Sequence, residues 1–159
     1  MPEPTYRHAT KDDAAAIAEV GATVWDELGA ESGLPGRLTE EGVRARHVEW
    51  GERGAMFVCD TGDGICGFAA VQPDPSAGSG QAPQEREGAV MGVWLLPSAR
   101  RKGIGRELAL MATDYARAGG YKRLRGTLPE GNEPALSFFS DIGSLAQVVG
   151  QGMEYELPL

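Results

Sequence analysis

Leu95-Leu96-Pro97-Ser98-Ala99-Arg100-Arg101-Lys102-Gly103-Ile104-Gly105-Arg106 is the stretch on which the reading of this chain turns. It follows a nearly continuous apolar run over 89–96. Such a run predicts a central strand buried on both faces. The strand ends at Pro97, and a basic, glycine-containing turn opens directly into an amphipathic helix over 104–118. In that helix Ile104, Leu108, Met111, Ala112 and Tyr115 recur at helical spacing, and Gly119-Gly120 stops it. A helix N-terminus leaves backbone N–H groups without intrahelical partners and carries the positive end of the dipole. Gly103 and Gly105 let backbone approach a bulky anion, and Arg100, Arg101, Lys102 and Arg106 add full charges. The combination suits a diphosphate.

Two common diphosphate motifs are excluded. The dinucleotide pattern G-x-G-x-x-G fails because Leu108 and Ala109 follow Gly105 where a third glycine is wanted. The Walker pattern fails for want of Gly-Lys-Ser/Thr. The pattern present is R-x-x-G-x-G, running from Arg100 to Gly105 after a strand that ends in proline.

Upstream, Thr10 to Asp13 reads as a capping box with a shorter acid in place of Glu. A helix to about Leu28 should follow, burying Ala14, Ile17, Ala18, Val20 and Val24. Residues 29–36 form a Gly/Ser/Pro loop, and Thr39 can cap a second helix with Val43, His47 and Trp50 on one stripe. Residues 56–59 and 65–71 read as a hairpin around Asp60-Thr61-Gly62-Asp63-Gly64. The polar stretch 73–87 is a long loop. Downstream come a short strand over 123–128, a helix headed by Asn132 with Leu136, Phe139 and Ile142 on one side, and short strands over 146–149 and 153–157.

This order, with R-x-x-G-x-G at its centre, resembles the GNAT superfamily of acetyltransferases. The family's second signature, N-x-x-A-x-x-F-Y-x-x-x-G-F, is met by Asn132, Ala135, Phe138 and Gly143, with Phe139 at the Tyr position and Ser144 last. The resemblance implies a three-layer α/β fold (α+β in some schemes). Its central mixed, mostly antiparallel sheet has about six to seven strands flanked by about four helices. Residues 1–159 would form a single GNAT-like acyltransferase domain. Implied too are acetyl-CoA as co-substrate, no metal, and transfer of acetyl to a primary amine of a small molecule by direct attack. Backbone around Leu95 and Leu96 would bond the pantetheine and the acetyl carbonyl. Arg100, Arg101, Lys102, Gly103, Ile104, Gly105 and Arg106 would hold the pyrophosphate. Asn132 would contact the pantetheine arm, besides any role as helix cap. Phe139 would line the thioester end, while Phe138 fits core packing.

The departures bear on catalysis. Phe139 has no proton to give where the family often has a Tyr acid. A thiolate is a tolerable leaving group, with an ordinary thiol pKa of about 8.5. Thr127 stands where some members place a Glu base and cannot serve as one. Glu87, at the start of the central strand, and Glu130, near Asn132, are the candidate bases, in that order; each is equally an ordinary surface carboxylate by type. Trp25, Asp26 and Glu27 could wall the acceptor site, the carboxylates suiting a cationic amine and the indole stacking on it. The 73–87 loop could act as a lid. Two other readings stand beside this one: a non-catalytic acyl-CoA-binding or regulatory domain, and an N-acetyltransferase acting on a peptide or protein amine.

Composition narrows the rest. A net charge of −8 argues against general nucleic-acid binding, although eight of the fifteen Lys and Arg fall between Arg100 and Arg125. No apolar run approaches the roughly 20 residues of a membrane span, and no secretory signal is visible. Cys59 and Cys66 make no disulfide framework, and with only His8 and His47 a Cys/His metal site is not expected. A cytoplasmic protein follows from these features, with the terminal strands at a sheet edge favouring a homodimer.

Overall fold

In the computed structural model the described residues are 4–29, 36–50, 54–73, 88–99, 103–128, 145–149 and 152–158. In chain order they form β1 (Thr5–His8), α1 (Ala14–Leu28), α2 (Glu40–Trp50), β2 (Ala55–Asp60), β3 (Ile65–Pro73), β4 (Gly88–Leu95), α3 (Ile104–Ala118), β5 (Arg123–Leu128), β6 (Leu145–Val149) and β7 (Gly152–Pro158). The strands make one seven-stranded sheet in the order β1-β2-β3-β4-β5-β7-β6. Only β4 and β5 run parallel. The expected mixed, mostly antiparallel sheet is therefore present. The expected helix over 132–142 and the 73–87 loop, apart from Pro73, lie outside the described residues.

Period-two alternation sorts the side chains into two cores, one on each face of the sheet. Phe57, Cys59, Ala69, Val71, Ala89 and Met91 face α3, whose Leu108, Ala109, Ala112 and Ala116 cover them. Met56, Val58 and Phe68 face the other way, onto Ile17, Val20 and Val24 of α1 and Val43 of α2. Each fully buried aliphatic side chain contributes about 1.5–3 kcal/mol.

The strand β1 was not foreseen. Four residues are too few to show periodicity, but the ladder to β2 is regular, with Tyr6 opposite Cys59 and Arg7 opposite Val58. An ion-pair cluster ties β1 to the start of α1. Arg7 grips both carboxylate oxygens of Asp13, at 2.7 and 2.9 Å, and Asp13 also accepts from the Thr10 N–H at 2.7 Å. Asp60, at the end of β2, lies 3.7 Å from the same guanidinium. The Arg7 hydrogen bonds, helped by the Thr10 amide and opposed by burial, pull the Asp13 carboxyl down to about 2 from an ordinary value of 3.8. A depressed carboxyl stabilises the fold fully above its unfolded pKa and loses that effect as pH falls through the folded value. Asp13→Asn is thus expected to cost about 1–2 kcal/mol at pH 7, the exposed flank of Arg7 limiting the gain. Urea melts should show the gap to wild type closing between pH 4 and pH 2. A gap that stays constant over that range would remove the ion pair from the account.

Register shifts between Cys59 and Asp60, so that Cys59 opposes Gly67 and Asp60 opposes Ile65. This bulge leaves Cys66 as the extra residue and turns it onto the α3 face beside Cys59. Both thiols are buried and free, as small core residues on adjacent strands, and the Cys66 thiol points to the Cys59 carbonyl at 3.6 Å. Burial first, and then the neighbouring Cys66, push the Cys59 thiol up to about 12. At pH 8 only about one molecule in ten thousand would carry that thiolate. Iodoacetamide should therefore label neither cysteine in the folded protein over hours and both at once in urea. Prompt labelling of the native state would contradict this packing.

Candidate functional site

The site forms where β4 leaves β5. Pairing with β3 continues along β4 from Ala89 to Leu95, but pairing with β5 covers only Gly88–Val90. Beyond Val90, β4 follows β3, whereas residues 126–128 of β5 follow β7. The sheet splits into two halves, and among the described residues no strand takes the β5-side edge of β4 after Val90.

Ladder parity decides which backbone groups line the slot. The Leu96 N–H donates to the Cys66 carbonyl at 2.9 Å, on the β3 side. In an antiparallel pair such bonds alternate, so residues 92 and 94 also turn their amides to β3. Met91, Val93 and Leu95 turn theirs to the β5 side; the Met91 amide belongs to the last rung of the β4–β5 ladder, and those of Val93 and Leu95 lie past it, along the slot. The expectation for Leu95 and Leu96 is narrowed accordingly. Leu95 lies on the slot edge; Leu96 does not, because its N–H is committed to Cys66 and its carbonyl accepts from the Ala99 N–H at 2.9 Å. The error has a simple cause: adjacent residues of a strand face opposite edges, and only the pairing with β3 says which is which.

At the far end of β4 a short 3-10 turn, Pro97–Ala99, leads towards α3. The N-cap of α3 is Gly103, with φ +82° and ψ 0°, in the left-handed region that side chains disfavour. It is exposed, nothing lies within 4 Å of where its Cβ would be, and it offers no side chain to cap the first turn. Among the described residues nothing stands against the positive end of this fifteen-residue helix, beside the slot. Gly105 lets the helix lie close to β4, since a Cβ there would stand 3.3 Å from Leu95 Cδ1. Ile104 is buried and Arg106 exposed. The sequence-predicted Leu95, Gly103, Ile104, Gly105 and Arg106 are thereby brought together at one end of β4. A helix N-terminus opening on an exposed glycine next to a strand edge is the kind of place where a phosphate group could be held.

Glu107 also lies in the first turn, yet it is among the charges that push the Tyr6 phenol up to about 12, after burial and Cys59.

The acceptor-side candidates fare differently. Trp25 is half-buried and packs on the core of the α1 face. Asp26 is bound by Arg37 through two hydrogen bonds of 3.1 and 3.3 Å, so its charge is already matched. Asp26 is thus one partner of an exposed ion pair, a type that adds little to stability. Glu27 is exposed. Arg100, Arg101, Lys102, Glu87, Glu130, Asn132 and Phe139 lie outside the described residues. Among the described residues no group of His, Cys, Asp and Glu could hold a metal ion, and no helix is long and apolar enough to cross a membrane.

Sequence reading missed Gly92 and Trp94. They share the α1 face, and the benzo ring of Trp94 lies where a Cβ of Gly92 would be. The G-x-W alternation was the available signal.

A three-layer α/β protein with a split sheet and a glycine-opened helix beside the split is the class these features define. Residues 23–143 match the description "Acetyltransferase (GNAT) family", and the chain belongs to that family, whose members are acetyl-CoA-dependent acetyltransferases. Mycothiol acetyltransferase of Thermomonospora curvata is 31% identical over 111 residues, 68% of this chain. The aligned part spans about a third (34%) of that relative's length. Among solved structures, yncA of Salmonella typhimurium, determined with its cofactor acetyl-CoA, matches with TM-score 0.80 and 19% identity over 98% of this chain and 94% of its own. A phosphinothricin acetyltransferase of Sinorhizobium meliloti in complex with AcCoA matches with TM-score 0.80 and 18% identity, covering 98% and 88%. At these identities the structural likeness is one of fold.

Proposed function

We propose that this protein transfers the acetyl group of acetyl-CoA to a primary amine of a small molecule by direct attack. The observation that carries the proposal is the slot: β4 parts from β5 after Val90, beside a helix whose N-terminus opens on an exposed left-handed glycine. Acetyl-CoA supplies an activated acetyl thioester. The chain's own groups bind and orient it. The helix N-terminus and Arg106, with Arg100, Arg101 and Lys102 of the same motif, would hold the diphosphate. Edge amides of β4, those of Val93 and Leu95, would bond the pantetheine arm. The thioester carbonyl oxygen would sit nearest the Val93 end of that edge, the first amide past the split, as charge develops there. Asn132 and Phe139 would complete the pantetheine and thioester walls.

Glu87 directly precedes β4 in the sequence, three residues before Val90. It remains the first candidate to take the amine proton, and Glu130, two residues past β5, the second. Release of CoA thiol from acetyl-CoA, followed across a panel of primary amines, tests the proposal. Amine-dependent release supports it. Tight acetyl-CoA binding with no release by any amine would favour a binding module instead.

A further inference from the structure

A slot through a sheet has two mouths. On one face α3 and its open N-terminus take the first, so a second substrate must come from the α1 face. Val90 is the last β4 residue paired to β5, and Gly92 is the next residue on the α1 face. The benzo ring of Trp94 covers Gly92, and the indole is itself braced against Phe68, ring centroids 5.0 Å apart and planes 32° apart. Phe68 is fully buried, whereas Trp94 is only half-buried. A rigid indole is therefore held by a core aromatic over the first position past the split. Trp25, Leu28 and Leu96 rim the same cluster. The nearby anion that would select a cation, Asp26, is already matched by Arg37.

We infer that Trp94 is a specificity-determining residue for the acceptor, and that the acceptor class is a primary amine carried on a flat or apolar skeleton. This inference rests on the acetyl-transfer reading above. A glycine at 92 is part of the device, because any Cβ there would displace the indole. Aromatic and apolar acceptors gain contact with the ring face, while small polar amines gain nothing from it.

The test uses the full chain with phenethylamine and ethanolamine as probes, whose amines are similarly basic. Acetyl-CoA affinity is measured by calorimetry and kcat and KM by CoA release. The variants are Trp94→Ala and, should that fold poorly, Gly92→Ala and Trp94→Phe. Wild type is expected to prefer phenethylamine by about tenfold or more in kcat/KM, mostly through KM. Trp94→Ala and Gly92→Ala should bring that ratio to within about threefold of unity while acetyl-CoA affinity stays within about twofold. A merely structural Trp94 would lower stability without changing the ratio. If acetyl-CoA binds but wild type shows no such preference, or acetylates neither probe, or keeps the preference in every variant, the inference is overturned and the acetyl-transfer reading stands. If acetyl-CoA does not bind the folded wild type, that reading fails and this one with it.

Discussion

Gly103→Glu is expected to weaken acetyl-CoA binding by roughly 30- to 100-fold, or 2–3 kcal/mol. Two effects contribute. The substitution places a carboxylate where the helix N-terminus now faces open space, opposite an anionic ligand. It also gives a side chain to a residue at φ +82°, a conformation that costs a non-glycine residue about 1–2 kcal/mol of stability. Gly120→Glu separates the two. Gly120 has φ +87°, is exposed, and has nothing within 4 Å of its missing Cβ, but it sits past the opposite end of α3. The strain there is the same, and a carboxylate at the negative end of the helix dipole should lower the melting temperature at least as much, while acetyl-CoA affinity stays within about twofold of wild type. Equal loss of affinity in both variants would mean that global strain or net charge, not the opening at Gly103, governs binding.

Phe68→Ala has the largest expected effect on stability. Phe68 heads the fully buried side chains, at 1% exposure, in the centre of the sheet on the α1 face. Removing a buried phenyl ring costs about 3–5 kcal/mol from lost transfer energy and the cavity left behind. For a chain of this size that is about 10 °C or more in melting temperature. The effect should exceed that of Trp94→Ala, because Trp94 is half-buried. Thermal melts of the two variants check the order. A smaller loss for Phe68→Ala would place the core of this face elsewhere.

The elements that position the site were legible where the chain is long and periodic. The helix over 104–118 has the bounds its apolar spacing suggests, and Gly119 follows its last residue. The run over 89–96 is strand as far as Leu95. What was not legible depends on pairing between distant residues. A four-residue strand such as β1 has no period of its own and exists through its ladder to β2. The slot arises because β4 and β5 part after Val90 while each keeps its outer partner, β3 and β7, which no local pattern records. The same holds for Leu95 against Leu96, whose opposite roles follow from one hydrogen bond to Cys66. The partner of Asp26, Arg37, stands eleven residues further along the chain, beyond the reach of any local pattern. Capping chemistry, by contrast, is local, and the Thr10–Asp13 box is present as read.

Hydrogen–deuterium exchange with and without saturating acetyl-CoA tests the central claim most directly, because it reports binding and its place together. The account predicts slowed exchange along β4 past Val90, through the Arg100–Arg106 motif into the first turn of α3, and around Asn132 and Phe139, with β2 and β3 unchanged. Binding without protection in those segments, or no binding by the folded protein, would contradict it.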